Sequence, residues 1–263
     1  MKTLIVVPAR YGSKRFPGKP LADLAGQSLI ARVGHLAKAA AGQLDNAAYA
    51  IATDDDRIAQ HCAEAGLFSM MTSEDCASGS DRALQCARAH KYRPDIVVNL
   101  QGDAPFVSIS TVVAIAKACA EQDVEVATAC SQLSWQELDM FRTAKQSRPF
   151  SGTSVLLDQE SRAIWFSKNI LPAIRNEAEL RRKSDLSPVH QHIGLYAYRF
   201  TALERFASLP VSHYEALEGL EQLRLLEAGI PIQCIDVPAS PAPVSGIDTP
   251  EDLAEAEAWL SGQ

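Results

Sequence analysis

The sequence predicts an α/β fold, a mostly parallel, doubly wound sheet with a β-rich insertion. Three observations predict it. Short β-rich runs alternate with stretches of helical periodicity through roughly the first 130 residues. One of those runs, "DIVVNL" (95–100), is too apolar to keep a wet face, which suits a central strand of a parallel sheet. Over about 135–200 the alternation gives way to successive β-rich runs, the pattern of an insertion rather than of another crossover. With 263 residues, the chain is read as one domain, 1–263, holding that insertion.

The elements follow in order. "TLIVVPA" (3–9) is the first strand, and "SLIARVGHLAKAAA" (28–41) carries apolar residues at helical spacing. "AAYAIAT" (47–53) is a strand, and "DRIAQHCAEAG" (56–66) a helix closed by Gly66. "LFSMM" is a short strand, and "SDRALQCARAHK" a helix with Ser80 as its expected N-cap. After "DIVVNL" come the helix "TVVAIAKACAEQ" and the strand "VEVATAC". "TSVLLD", "AIWFSK" and "HIGLYAYRF" are the strands of the insertion, separated by the polar stretch "RNEAELRRKSD". "HYEALEGLEQLRLLEAG" (213–229) reads as one helix carrying Glu218, Glu221 and Gln222, with Glu218 on a solvated face. "IQCIDV" is the last strand, and "TPEDLAEAEAWL" the last helix, with Thr249 as N-cap and Pro250 at the first helical position.

Composition narrows the function. A formal charge of −7 argues against a general nucleic-acid or membrane-surface binder. No apolar run has the ~18 residues of a membrane span, and the N-terminus enters a strand directly. Six scattered cysteines lack metal-ligand spacing and read as free thiols in a reducing cytosol, so a cytoplasmic protein is expected.

Against that acidic background, Arg10, Lys14, Arg15 and Lys19 gather in the loop after the first strand, together with Gly12 and Gly18. Open parallel sheets bind ligands beyond the carboxyl ends of their strands, where this loop begins. Arginine meets phosphate oxygens with two prongs, lysine as a point charge, and glycine lets backbone N–H groups come close. The Walker and G-x-G-x-x-G spacings are both absent. Lys14 alone reads equally well as a solvated residue. Asp103, in "VVNLQGDAPF", follows an apolar strand at the same sheet edge. By position it is either a Mg²⁺ ligand or an Asp in a strand-end turn. Asp248 precedes the last helix, where it is either part of the cap or, with Thr249 capping, free to bind. "DDD" (54–56) reads as a helix cap rather than a metal site. His192 and Tyr196 alternate on one strand and face one side. Two carboxylates facing a basic, glycine-bearing loop are the equipment of phosphoryl or nucleotidyl transfer.

"PARYGSKRFPGKPL", "ATDDDRI", "MTSEDCASGSDR", "VNLQGDAP", "HIGLYAYR", "LEGLEQLRLLE" and "IDTPEDL" occur in this order. Together they closely resemble the 3-deoxy-manno-octulosonate (Kdo) cytidylyltransferases, the CMP-Kdo synthetases of lipopolysaccharide synthesis, over nearly the whole chain. The resemblance implies a nucleotide-diphospho-sugar transferase-like fold and a homodimer formed largely through the β-rich insertion. It implies that CTP and Kdo give CMP-Kdo and diphosphate, with Mg²⁺. It further implies that Arg10 and Lys19 hold the triphosphate, that Asp103 and Asp248 hold the metal, and that Ser78, Gln101 and the backbone near Ala9 hold the cytidine. His192, Tyr196, Glu221 and Gln222 would line the sugar site, with Arg175 near the sugar carboxylate and Lys168 beside it. Four departures from the family pattern lie on the sugar side or in the insertion. They are Ala104 in place of Glu, Lys168 in place of Arg, the replaced stretch "RPFSGTSVLLD", and the segment 175–191. They leave 8-amino-Kdo or a sialic-type acid as alternative sugars. A catalytically silent nucleotide-sugar-binding protein is the alternative of another class.

Overall fold

Every residue of the first strand, β1 (Thr3–Ala9), is buried, as its unbroken apolar run requires of a strand covered on both faces. The computed structural model describes residues 1–12, 15–240, 242 and 246–262; Lys14 of the basic loop lies outside them. After β1 the chain makes a 3₁₀ turn (Lys19–Leu21) and a small hairpin of β2 (Asp23–Leu24) and β3 (Gln27–Ser28). α1 (Leu29–Ala41) starts at Ser28, whose hydroxyl accepts the Ala31 N–H. β4 (Ala47–Thr53), α2 (Asp56–Glu64), β5 (Ser69–Met71), α3 (Gly79–Ala89), β6 (Ile96–Leu100), α4 (Ile109–Ala118) and β7 (Val126–Ser134) complete the alternation. Ser78, not Ser80, caps α3. Asp81 lies three residues after Ser78 and returns the cap's hydrogen bond. Ser80 is then inside the first turn and buried.

The stretch expected to be β-rich contains α5 (Trp135–Ser147), β8 (Ser154–Leu157), β9 (Ala163–Ser167), α6 (Glu177–Lys183) and β10 (Leu186–Arg199). It opens with a helix because Ser134 and Glu137 form a capping box. The polar stretch "RNEAELRRKSD" supplies a second helix, α6. β10 belongs to two places at once. His190 and Gln191 pair with β8, while Leu195–Arg199 run antiparallel to β6.

α7 (Phe200–Ser208), α8 (His213–Glu218), α9 (Leu223–Glu227), β11 (Gln233–Asp236) and α10 (Pro250–Ser261) follow. The stretch 213–229 is two helices rather than one, because Gly219 turns left-handed (φ 65°) and closes α8. Glu218 therefore ends α8, Glu221 lies in the turn and Gln222 caps α9, so the three do not share a helix.

The main sheet has the order β11-β7-β10-β6-β1-β4-β5, and within that row only β10 runs against its neighbours. The chain moves outward from β1 to β4 and β5, then returns to the other side of β1 as β6. Such a reversal opens a crevice at the carboxyl ends of the strands. The two faces of β1 feed separate cores. Ile5 and Val7 pack with Ile30, Val33 and Ile115; Leu4 and Val6 share a cluster with Ala83, Tyr198 and Phe206.

Candidate active site

The carboxyl ends of β1 and β6 are packed so closely that only glycine fits between them. A Cβ built on Gly102 would lie 2.7 Å from the Pro8 carbonyl oxygen. The next residue, Asp103, accepts a backbone hydrogen bond from Ile247 at 2.9 Å, which stitches the segment before α10 onto the end of β6. Asp103 and Asp248 are thereby brought together. The Lys19 ammonium donates to Asp103 Oδ2 at 2.7 Å and to Asp248 Oδ1 at 3.1 Å. Those two oxygens are therefore no further apart than the sum of the two lengths. Arg15 adds a second cation to Asp248, at 3.1 Å. Thr249 caps α10 and Pro250 opens it, as the sequence indicates, so the Asp248 carboxylate takes no part in capping. Its backbone N–H is held by Asp252 Oδ2 at 3.0 Å.

A cleft of about 500 Å³ opens here; Arg10, Lys19, Ser78, Gln101, Asp103 and Asp248 line it, and Ala9 forms part of its floor. Arg10 is exposed at its mouth. The N-terminus of α3 forms another wall. A Cβ on Gly79 would lie 3.1 Å from Gln101 Oε1 and 3.3 Å from Pro8, so the helix start is pressed against the ends of both strands. The Ser78 hydroxyl accepts the Asp81 N–H and donates to the Asp81 carboxylate.

Sequence reasoning missed Arg82. It borders the cleft and is only 3% exposed, and its guanidinium donates to Asp54 Oδ2 and Thr72 Oγ1, both at 2.6 Å. Of the "DDD" run only Asp55 is the cap; Asp54 is the partner of this buried cation. No local pattern marks that pair, because β4 and α3 bring it together.

Of the residues expected at the sugar, His192 and Tyr196 lie on β10, and none of the six (Lys168, Arg175, His192, Tyr196, Glu221, Gln222) is among those lining the cleft. His192 is buried, its Nε2 is 2.9 Å from Thr128 Oγ1, and its ring lies 5.4 Å from that of Tyr196. Burial lowers the imidazole from 6.5 to about 3, with the Lys168 charge adding to the effect, so His192 is neutral at ordinary pH. The Tyr196 hydroxyl is buried without a hydrogen-bond partner among the described residues. Glu221 Oε1 accepts from Ser80 at 2.8 Å, and burial raises its carboxyl against that bond. Gln222 is buried.

Lys168 Nζ donates to Thr153 Oγ1 at 3.1 Å. Burial lowers this ammonium, while the charges of Glu218 and Asp248 oppose the shift. Glu218 is not a solvated helix residue. Its two oxygens accept from the Ser167 hydroxyl and the Lys168 N–H, each at 2.8 Å. Arg175 is exposed between β9 and α6 and is not among the residues lining the cleft.

Among the described residues no group of three or more His, Cys, Asp or Glu side chains forms a ready metal cage. The pair Asp103 and Asp248 still fits Mg²⁺, which takes one or two carboxylates and completes its shell with phosphate oxygens and water. Both are hard oxygen donors, and they already share one cation, Lys19.

The family described as "Cytidylyltransferase" matches residues 4–232. The 3-deoxy-manno-octulosonate cytidylyltransferase of Maricaulis maris (strain MCS10) is 39% identical over 265 residues, covering 100% of this chain and 98% of the relative. That of Elusimicrobium minutum (strain Pei191) is 39% identical over 260 residues, covering 98% of each. Among solved structures, CMP:2-keto-3-deoxy-manno-octonic acid synthetase complexed with CTP superposes with a TM-score of 0.82 at 34% identity, over 100% of this chain and 99% of the other. The chain belongs to the cytidylyltransferase family and, within it, to the 3-deoxy-manno-octulosonate cytidylyltransferases.

Proposed function

We propose that the chain joins the cytidylyl group of CTP to Kdo, giving CMP-Kdo and diphosphate for lipopolysaccharide synthesis. The convergence of Asp103 and Asp248 on Lys19, beside the basic loop at the sheet's reversal point, carries this reading. The shared name of the relatives supports Kdo as the sugar.

Arg10 and Lys19 neutralise the triphosphate and the departing diphosphate. Ser78, Gln101 and the Ala9 backbone hold the cytidine at the start of α3. Asp103 and Asp248 would hold Mg²⁺, which when bound would supply Lewis-acid withdrawal of charge from the phosphate oxygens and a lowered pKa for a neighbouring hydroxyl. Lys168 meets the sugar carboxylate, whereas Arg175, exposed and outside the cleft lining, is given no contact with it. Neutral His192, Tyr196, Glu221 and Gln222 offer hydrogen bonds without adding positive charge. The sugar's C2 hydroxyl attacks the α-phosphorus in line; the new O–P bond forms, the bond to the β-phosphate oxygen breaks, and the hydroxyl proton leaves to water. The reaction requires no protein nucleophile.

The test is diphosphate release from CTP and Mg²⁺ with Kdo, 8-amino-Kdo and N-acetylneuraminate offered separately. Kdo is expected to give the largest turnover, and EDTA to abolish it. Activity with none of the three overturns the reading in favour of a silent binding protein; a preference for another acid corrects the sugar. We also read the chain as a cytosolic homodimer. Free thiols suit that compartment. Met140, Phe150 and Leu186, exposed by 57%, 74% and 48%, suit a partner surface in the 135–200 region.

A further inference from the structure

Arg57 stands outside every residue assigned to the site, yet it presses on the loop that carries two of them. Its guanidinium covers one face of Tyr11, 3.4 Å from the ring centroid. The same ring packs at Gly18, where an added Cβ would come within 3.2 Å of it. Gly18 is left-handed (φ 73°), and its N–H donates to the Tyr11 carbonyl at 3.0 Å. Arg10 directly precedes this closed unit and Lys19 directly follows it. Arg57 is itself fixed: its Nε and Nη2 donate to the two oxygens of Asp55, at 2.9 and 2.6 Å, and Asp55 is the N-cap of α2. A chain of contacts thus runs from the start of α2 through Asp55, Arg57, Tyr11 and Gly18 to the lysine that holds both site carboxylates.

We propose that Arg57 is a positioning residue for the phosphates of the nucleotide: it clamps Tyr11 against Gly18 and so fixes the spacing of Arg10 and Lys19 before CTP arrives. The inference rests on the reading of the cleft as a CTP site. An exposed guanidinium–ring contact accounts for a modest effect on affinity rather than for the reaction itself.

The experiment is calorimetric titration of CTP with Mg²⁺ and no sugar into the full-length wild type, Arg57→Ala, Tyr11→Ala, Tyr11→Phe and the Arg57→Ala/Tyr11→Ala double variant. Each alanine variant is expected to weaken CTP by about two- to fivefold, the reach of an exposed cation–π contact. The double variant is expected to be no weaker than the poorer single, because both break one clamp. Tyr11→Phe is expected to recover what Tyr11→Ala loses. In steady state the KM for CTP rises in parallel while the KM for the sugar stays within about twofold of wild type. Thermal melting, unchanged in Arg57→Ala, separates this from loss of fold. Wild-type affinity in Arg57→Ala overturns the inference alone. Losses that multiply in the double variant also overturn it, since Arg57 would then touch the ligand independently of Tyr11. A wild type that binds no CTP overturns both the inference and the reading of the cleft.

Discussion

At the scale of single residues, Asp103 and Asp248 leave position-based alternatives open in sequence, and the structure brings both to one ammonium, that of Lys19, at the cleft. Asp103→Asn is expected to lower kcat by about 10²- to 10³-fold, as removal of one preorganised electrostatic group does elsewhere. Diphosphate release measures it, and near-normal turnover sinks the assignment. His192 gives a pH prediction. Its folded value of about 3 lies below the unfolded 6.5, so between the two the unfolded chain binds a proton that the folded chain refuses. The stability associated with the neutral ring is therefore complete above pH 6.5 and is lost as pH falls toward 3. His192→Gln stays neutral and is expected to flatten that part of the decline. Urea midpoints of both proteins measured across this range check it, and parallel curves refute it. The proximity of His192 and Tyr196 was readable from strand alternation; the burial that neutralises the ring was not, because it depends on Phe166 and Thr128 from other strands.

At the scale of elements, local rules succeeded where their partners lie within four residues. Thr249 and Pro250 start α10 as expected, and Gly66 (φ 68°) follows α2 as a left-handed stop. They failed where two local readings competed. Ser78 and Ser80 both suit a cap, and the reciprocal bond of Asp81 selects Ser78. Leucine periodicity runs through 213–229, yet Gly219 divides it, and the resulting turn carries Glu221 to Ser80. Gly102 supports an element-scale prediction. Gly102→Ala forces the ends of β1 and β6 apart, with an expected cost of about 1–3 kcal/mol for overpacking. Displacement of Asp103 is expected to lower kcat as well. Denaturant unfolding and steady-state kinetics on one preparation test both, and a variant unchanged in each contradicts the close approach.

At the scale of the whole molecule, the site depends on the C-terminal helix returning across the sheet. Asp252 on α10 accepts the N–H groups of Asp248 and Thr249, each at 3.0 Å, through one oxygen, and Arg148 at 3.1 Å through the other. One carboxylate thus ties Asp248, the helix start and the segment before β8 together. Asp252→Ala is expected to cost about 1 kcal/mol, as the loss of the N3 half of the capping box that Thr249 begins. It is also expected to raise the Mg²⁺ concentration needed for half-maximal activity, because Asp248 loses its backbone anchor. A magnesium titration identical to wild type rejects that coupling.

The sequence by itself determined the alternation of strands and helices, the basic loop, the carboxylates and the family, because periodicity, caps and motif order are written within short stretches. Tertiary structure alone decided that Lys19 meets Asp248 across 229 positions, that Asp54 serves Arg82, and that Glu218 is bound rather than solvated. Those pairings follow from which strands become neighbours, and neighbour choice is settled by the burial of the whole sheet, which no local stretch contains.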